Sequence, residues 1–314
     1  MSISANATPA DAATWTAVVQ SCFPDGGCFS PAVQHALHTF ATTPILGWSL
    51  GPIVASFVGW STACVVLEWV NRQPWAKRYQ ITYNGQPRDD AIAQTHKAVT
   101  WWQQLNRTLM FVGGPMTMIG FALNALLFPL WIPTPTTALP ASLAAFAWEF
   151  ALLMVTADFC LYWAHRAAHE VPLLWRFHQV HHVIGTPTAV ATAYIHNVDA
   201  FVHAGPPMTI CALLTCPHPV TYTIYIAYHL ANAAHNHSGL DAWFLNLFTG
   251  KLLPLRTGNG HHDAHHRFAN YGPHATNYGD TFVVWDWLFG SMETQQPDPT
   301  GTVCRQSTVK HAKS

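Results

Sequence analysis

The chain has 314 residues, of which 50% are hydrophobic and only 9% are charged, and its formal net charge is -1. A soluble domain usually has about 25% charged residues, so this composition argues against a soluble globular protein. A nearly neutral chain also lacks the basic surface that attracts nucleic acid. The composition therefore predicts a polytopic membrane protein.

Four hydrophobic regions are candidates for crossing a bilayer, which takes about 20 helical residues. The predicted spans cover about residues 45–70, 108–131 and 141–163. A fourth region, about 200–234, contains Cys216-Pro217-His218-Pro219, and two prolines break a helix. We expect a helical hairpin there, with a re-entrant segment or a buried core helix as the alternative. The predicted fold is all-α: about four transmembrane helices, capped by a cytosolic, histidine-rich helical domain.

The loops indicate how the spans are oriented, because Lys and Arg collect on the cytoplasmic side of a membrane. The first 71 residues contain neither, whereas the segment between spans one and two contains Arg72, Lys77, Arg78, Arg88, Lys97 and Arg107. The N-terminus is therefore predicted to be lumenal. Alternating crossings then bring every histidine-rich segment to the cytosolic face. Cys22 and Cys28 lie in the predicted lumenal segment and could pair there.

Histidines recur in short groups with metal-ligand spacing. A separation of four residues places two imidazoles on one face of a helix. Separations of three and one allow adjacent imidazoles to diverge toward two ions. Imidazole suits iron, zinc, copper and nickel, so the pattern predicts a two-metal site. The groups are His165 and His169, then His178, His181 and His182, then His262, His265 and His266, with His237 as a further ligand.

Other residues are candidates for supporting roles. His196 and His235 compete for a tenth ligand position. Asp158 and Tyr162 lie on nearly the same helical stripe as His165, where a carboxylate could orient a ligating imidazole. Asn277 and Asp286 are further candidate partners of the ligands, and a helix cap or a turn is the alternative role for each.

Several other metal and cofactor chemistries lack their sequence patterns here. The chain contains no H-E-x-x-H motif of zinc peptidases, no C-x-x-C pair and no G-x-G-x-x-G fingerprint. The E-x-x-H pairs of soluble di-iron bundles are also absent. A histidine-rich di-metal centre at a membrane surface remains.

The histidine motifs resemble a known family. The run from Asp158-x-x-x-Tyr162 to His169-Glu170, followed by His178-x-Val-His181-His182, resembles the fatty acid hydroxylase and sterol desaturase superfamily of membrane non-haem di-iron enzymes. The C-terminal motifs resemble its C-4 methylsterol oxidase branch most closely; they are His237-Ser238-Gly239, His262-Asp263-x-His265-His266, Asn277-Tyr278-Gly279-Asp280 and Trp285-Asp286-x-x-Phe289-Gly290. The resemblance covers roughly residues 145 to 292.

This resemblance implies two iron ions on nine histidine ligands and electrons from NAD(P)H through a reductase or cytochrome b5. The implied reaction uses O2 to hydroxylate or oxidise an unactivated C–H (methyl) group of a sterol or terpenoid-like lipid, with specialised-metabolite biosynthesis as one setting. The implied location is the endoplasmic reticulum membrane, with the active site on the cytosolic face. Alternatives are a desaturase or aldehyde-cleaving enzyme of the same superfamily, or a non-catalytic metal-binding membrane protein. The implied ligands are His165, His169, His178, His181, His182, His237, His262, His265 and His266.

Two positions depart from the family pattern. The chain has His196-Asn197 where the family often has His-Pro, which weakens His196 as a ligand. It has Ala233 and His237 where an acyl-type member would have two histidines, which favours a sterol-like substrate over an acyl chain. The predicted organisation is a lumenal segment (1–44), spans one and two with a basic cytosolic loop (45–140), a di-iron catalytic domain (141–292) and a C-terminal tail (293–314).

Overall fold

A computed structural model describes residue 15 and residues 17–82, 99–268 and 275–293. Two residues of the predicted basic loop, Arg88 and Lys97, and nearly all of the predicted C-terminal tail lie outside these ranges. Within them every regular element is helical, in agreement with the predicted class. The α-helices are α1 (Pro31–Thr42), α2 (Gly51–Asn71), α3 (Trp101–Gly113), α4 (Pro115–Trp131), α5 (Leu143–Glu170), α6 (Pro172–His182), α7 (Asn197–Asp199), α8 (Gly205–Thr215), α9 (Pro219–His237), α10 (Trp243–Phe248), α11 (Asn259–Phe268) and α12 (Val284–Leu288).

Three helices in the described residues are long and apolar enough to cross a membrane. They are Leu46–Asn71, Trp102–Trp131 and Leu143–Glu170. Each overlaps one of the first three predicted spans, although the second begins six residues earlier than predicted. Its two parts, α3 and α4, meet at Gly114, and Pro115 begins the second part because its fixed φ suits a first helical turn. Length and apolar composition are those of an integral membrane protein.

In the predicted hairpin region the helix is broken at the two prolines, as the sequence predicted. α8 ends at Thr215 and α9 begins at Pro219, so residues 216–218 form the turn. The first arm is short: α7, a π-helical turn at Ala200–Ala204, and α8 follow one another. Neither arm is among the helices that qualify by length and hydropathy, so the described residues give three candidate spans and not the four expected.

The most extensive helix contact joins α2 to α9. Gly59 of α2 permits this close approach, because a Cβ placed there would lie 2.2 Å from the carbonyl oxygen of Ala227. Small residues at such contacts let two backbones pack closely within a membrane. α5 packs mainly against α8 and also contacts α9. A cluster of buried core residues lies among these helices and α4. Within it the rings of Trp48, Phe128 and Tyr222 contact one another.

Two ends of the helix assembly differ in chemistry. At one end lie a disulfide between Cys22 and Cys28 and the turn before α9. The loop after α4 joins them: the amide of Leu139 donates to the carbonyl of Pro24 at 2.8 Å, and a ring nitrogen of His218 lies 3.3 Å from the carbonyl of Thr137. α5 and α9 both start near this end and carry their histidines at the other.

Candidate metal centre and adjoining cavity

Four helices bring the predicted ligand histidines together. α6 begins two residues after α5 ends, with Pro172 in its first turn, so the last turn of α5 and all of α6 lie side by side. α9 ends at the centre and α11 contacts it. The nine side chains are His165 and His169 on α5, His178, His181 and His182 on α6, His237 on α9, and His262, His265 and His266 on α11.

The nine imidazoles form two groups, each able to hold one metal ion. In each group the candidate ligand atoms lie within 4.8 Å of one another. Neighbouring histidines diverge as their spacing suggested: His181 and His182 belong to different groups, and so do His262 and His265. The first group is His165, His169, His178, His182 and His265; the second is His181, His237, His262 and His266.

Hydrogen bonds at Nδ1 fix the tautomer of six of these rings. Five Nδ1 atoms face a backbone carbonyl and one faces a carboxylate, and both kinds of oxygen only accept. Each Nδ1 must therefore carry the proton, which leaves a lone pair on Nε2 in the neutral ring. The pairs are His165 with Tyr278 O (3.0 Å), His178 with Asp199 Oδ2 (2.9 Å), His181 with Tyr194 O (3.3 Å), His237 with Ala233 O (2.8 Å), His265 with Thr276 O (2.6 Å) and His266 with Ile184 O (3.2 Å).

The Nε2 atoms need a cation. Those of His181 and His237 lie 3.2 Å apart, and both carry lone pairs because both Nδ1 atoms donate to carbonyls. Two lone pairs at that distance repel unless a positive ion lies between them. The Nε2 atoms of His178, His265 and His266 are buried and have no hydrogen-bond partner among the described residues. Unpaired buried nitrogens cost free energy, so this donor set fits a bound metal.

Burial keeps the imidazoles outside the spans neutral. The pKa values of His181, His182, His262, His265 and His266 all lie well below the usual value, first because burial disfavours the imidazolium and second because neighbouring histidines repel it. Only a neutral imidazole can donate its lone pair to a metal. The cluster is thus held in its ligand-competent protonation state at neutral pH.

Asp199 and His203 are parts of the site that the sequence analysis missed. Asp199 accepts the hydrogen bond from Nδ1 of His178, and its second oxygen lies 3.9 Å from a ring nitrogen of His203. The ring of His203 lies 5.0 Å from that of His165. The four-residue separation of Asp199 and His203 was the available signal, but both follow His196, where the sequence departs from the family pattern. With His178 they form a third, smaller group.

Asp158 and Tyr162 do not orient an imidazole directly, which corrects the sequence prediction. Asp158 is fully buried and accepts hydrogen bonds from the amides of Thr281 and Phe282 and from the indole of Trp285, at 2.7 to 2.9 Å. The hydroxyl of Tyr162 lies 2.7 Å from that of Ser291. Both side chains tie α5 to the C-terminal segment.

Asn277 and Asp286 also act on the histidine groups only indirectly. Asp286 accepts from the amides of Tyr278 and Gly279, both at 2.8 Å, and its Oδ2 lies 3.0 Å from Nε2 of His261. Asn277 has a positive φ of 61° and donates to the carbonyl of His261. These contacts shape the turn whose Tyr278 carbonyl accepts from His165. Asn277 and Asp286 therefore have the turn role that was the alternative for them.

Neither candidate for a tenth ligand belongs to a metal group formed by the described residues. A ring nitrogen of His196 accepts from the amide of Val198 at 3.1 Å and caps α7. Nδ1 of His235 lies 3.0 Å from the hydroxyl of Thr249. His235 points away from its near neighbour His237 because residues two apart lie on different helix faces.

A largely apolar cavity of about 190 Å³ adjoins the histidine groups. Five of the nine histidines line it: His165, His178, His181, His237 and His262. The rest of its wall comes mainly from apolar side chains of the candidate spans and the hairpin, including Phe121, Leu161, Met208, Ile226 and Leu230. The cavity therefore reaches histidines of both groups.

Comparisons with known proteins agree with this site. Residues 150–291, which contain all nine histidines, match the Fatty acid hydroxylase family. A very-long-chain aldehyde decarbonylase from Oryza sativa subsp. indica is 35% identical over 140 residues, covering 44% of this chain and 49% of the relative. A methylsterol monooxygenase from Arabidopsis thaliana is 33% identical over 138 residues, with the same coverage. A fatty acid hydroxylase from a Lecanicillium species is 37% identical over 168 residues, covering 48% of this chain and 44% of the relative.

The chain spans about half the length of the curated relatives that it matches. No solved structure matches the chain significantly. The matched region contains the histidine groups, the hairpin and the C-terminal turn, and its relatives include two of the classes that the motifs suggested. The chain carries a fatty acid hydroxylase family domain, consistent with the fatty acid hydroxylase and sterol desaturase superfamily and its methylsterol oxidase branch.

Proposed function

We propose that this protein is a membrane di-iron oxygenase that uses O2 and two electrons to hydroxylate or oxidise an unactivated C–H (methyl) group of a sterol or terpenoid-like lipid. One observation carries the proposal: five and four imidazoles converge in two adjacent groups at one end of an apolar cavity. The family match over the same residues supports it.

The nine histidines would hold the two iron ions, five on one and four on the other. Bound iron would supply the O2-dependent redox chemistry needed to attack a C–H bond that no acid or base can activate. Zinc binds imidazole as readily but has no redox chemistry, so a zinc-filled site would be inert. The family match and the monooxygenases and hydroxylases among the relatives favour iron.

The chain itself fixes the ligands, protects the site from water and positions the substrate. Carbonyl oxygens and Asp199 hold six rings by Nδ1, so that little reorganisation is needed when a metal binds. Burial excludes bulk water from the centre. The apolar walls bind the hydrocarbon part of a lipid through the hydrophobic effect and leave the reacting carbon beside the histidines.

An aldehyde-cleaving reaction is the second candidate, because a very-long-chain aldehyde decarbonylase is 35% identical over 140 residues of the same region. Desaturation requires the same first removal of hydrogen. Hydroxylation, desaturation and cleavage give different products. An alcohol retains all carbons and gains an oxygen atom, an alkene gains no oxygen, and cleavage shortens the carbon chain. The methylsterol monooxygenase relatives from Arabidopsis thaliana and Aspergillus fumigatus favour oxidation of a sterol methyl group.

Electrons would come from NAD(P)H through a separate reductase or cytochrome b5, on the cytosolic face of the endoplasmic reticulum membrane. Two observations support this orientation. The basic residues between the first two spans follow the end of α2, and the disulfide of Cys22 and Cys28 lies at the opposite end of the assembly from the histidines. A disulfide persists in an oxidising compartment and not in the cytosol.

The test is product analysis in a reconstituted system. Purified, iron-loaded protein would be incubated with NADPH, a reductase, cytochrome b5 and a panel of 4-methylsterols and terpenoids under 18O2. We expect an alcohol or further oxidised methyl group that carries 18O, absent from the His262→Ala, His265→Ala double variant and retained in His35→Gln, which changes an exposed histidine on α1. A shortened product would favour cleavage, whereas an iron-loaded protein with no oxidised product would contradict the proposal.

A further inference from the structure

The wall of the apolar cavity contains an amide in the middle of a candidate span. Asn124 lies on α4, is 5% exposed and lines the cavity. Its Oδ1 accepts a hydrogen bond of 2.8 Å from the hydroxyl of Thr209 on α8. Its amide nitrogen has no hydrogen-bond partner in the part of the chain that the structure describes. A polar group inside a membrane is costly without a partner, so this nitrogen calls for an acceptor.

A second nitrogen donor lines the same cavity. His229 on α9 stacks on Tyr225, with ring centroids 6.1 Å apart, and its ring nitrogens have no hydrogen-bond partner among the described residues. Two other polar residues of the wall are satisfied by backbone carbonyls: the hydroxyl of Ser56 donates to Ile53 and that of Thr192 to Ala189. Asn124 and His229 therefore offer N–H groups that only a bound molecule could use.

Both donors lie deeper in the helix assembly than the metal groups. His229 precedes the ligand His237 by eight residues of α9, a rise of about 12 Å at 1.5 Å per residue. Thr209, which holds Asn124, follows His203 by six residues, a rise of about 9 Å. The ring of His203 lies among the histidines of the first metal group.

We infer that Asn124 and His229 form an oxygen-binding subsite, and that the substrate is an apolar lipid with a hydroxyl or carbonyl oxygen that lies deeper in the helix assembly than the metal groups. This inference rests on the proposed function and deepens it by defining the substrate class. The Thr209 hydroxyl fixes the amide in place, so the Asn124 nitrogen donates to the substrate oxygen and His229 donates from α9.

The test is binding of a matched pair of probes, 1-dodecanol and n-dodecane, to the purified full-length holoprotein. Apparent affinities come from thermal unfolding midpoints measured as each probe is titrated. We expect the alcohol to bind about two- to tenfold more tightly than the alkane, the gain of one hydrogen bond. Asn124→Leu and His229→Phe should reduce that ratio toward one without weakening dodecane binding.

Thr215→Val is the matched control. Thr215 lies on the same helix as Thr209, donates to the carbonyl of Cys211 at 2.7 Å and does not line the cavity. It should keep the preference for the alcohol. Loss of the preference in either cavity variant supports the subsite; its absence in the unaltered protein, or full retention in both variants, overturns it. This result does not depend on turnover, so failure of the reconstituted oxidation would remain a separate finding.

Discussion

Nδ1 of His178 lies 2.9 Å from Oδ2 of Asp199, and both side chains are buried. The carboxylate holds the proton on Nδ1 and turns Nε2 toward the first metal group. The other oxygen of Asp199 lies 3.9 Å from Nδ1 of His203. A partner of this kind raises the basicity of a ligand and fixes its position.

Asp199→Ala should weaken metal binding by the first group about 10- to 100-fold while the second group keeps its metal. Asp241→Ala is the control, since Asp241 is exposed and accepts only from Asn246 in the described contacts. The measurement is iron retained per chain during dialysis against graded chelator concentrations. Equal retention by both variants would show that Asp199 does not position a ligand.

Asp158→Asn should destabilise the protein by about 3 kcal/mol. The carboxylate accepts three hydrogen bonds from the C-terminal segment, whereas an amide places an NH2 group against at least one donor. Glu170→Gln, which breaks an exposed 2.9 Å ion pair with Arg166, should cost under about 1 kcal/mol. Unfolding in detergent would measure both changes. Similar losses would mean that Asp158 does not anchor the C-terminal segment.

The metal-free protein should lose stability as the pH falls below about 6.5. The lowered pKa values of His181, His182, His262, His265 and His266 mean that the unfolded chain binds more protons than the folded one in that range. Unfolding midpoints between pH 8 and pH 5 would test this. The double variant His262→Ala, His265→Ala should show a weaker slope. A midpoint independent of pH would contradict the expectation.

Labelling of Cys216 tests the proposed orientation of the protein in the membrane. It is exposed in the turn before α9, at the same end as the disulfide. A membrane-impermeant maleimide should label it only after microsomes are opened. An added cysteine at Arg176, on the histidine-bearing helix α6, should be labelled in intact microsomes in a background lacking the other reactive thiols. The reverse pattern would put the histidine groups in the lumen.

Much of this architecture follows from local sequence. Apolar length predicts the three spans to within seven residues at each end, and the two prolines at 217 and 219 predict the break before α9. Eight of the nine histidines could be selected because helical spacing limits which rings share a face, and His237 because it lies beside Ser238-Gly239 at the end of the hairpin. The break at Gly114 was missed, although the sequence Gly113-Gly114-Pro115 indicates it.

Relationships between distant segments could not be predicted. Asp158 lies on the same stripe as His165, yet its partners are 123 to 127 residues away on a turn with little periodicity. Asp199 meets His178 only because α7 folds back against α6. The division of the histidines into five and four depends equally on packing, since His262 and His265 share a helix but belong to different groups.

The most direct test of the central claim is the metal content of the purified protein after iron-supplemented anaerobic preparation. We predict two irons per chain. His262→Ala leaves three ligands in the second group and should lose that iron, whereas His265→Ala leaves four in the first group and should retain more. The double variant should lose the second-group iron and hold the first-group iron more weakly than the unaltered protein. Zinc alone, no metal, or two irons retained in the double variant would contradict a di-iron centre built from these histidines.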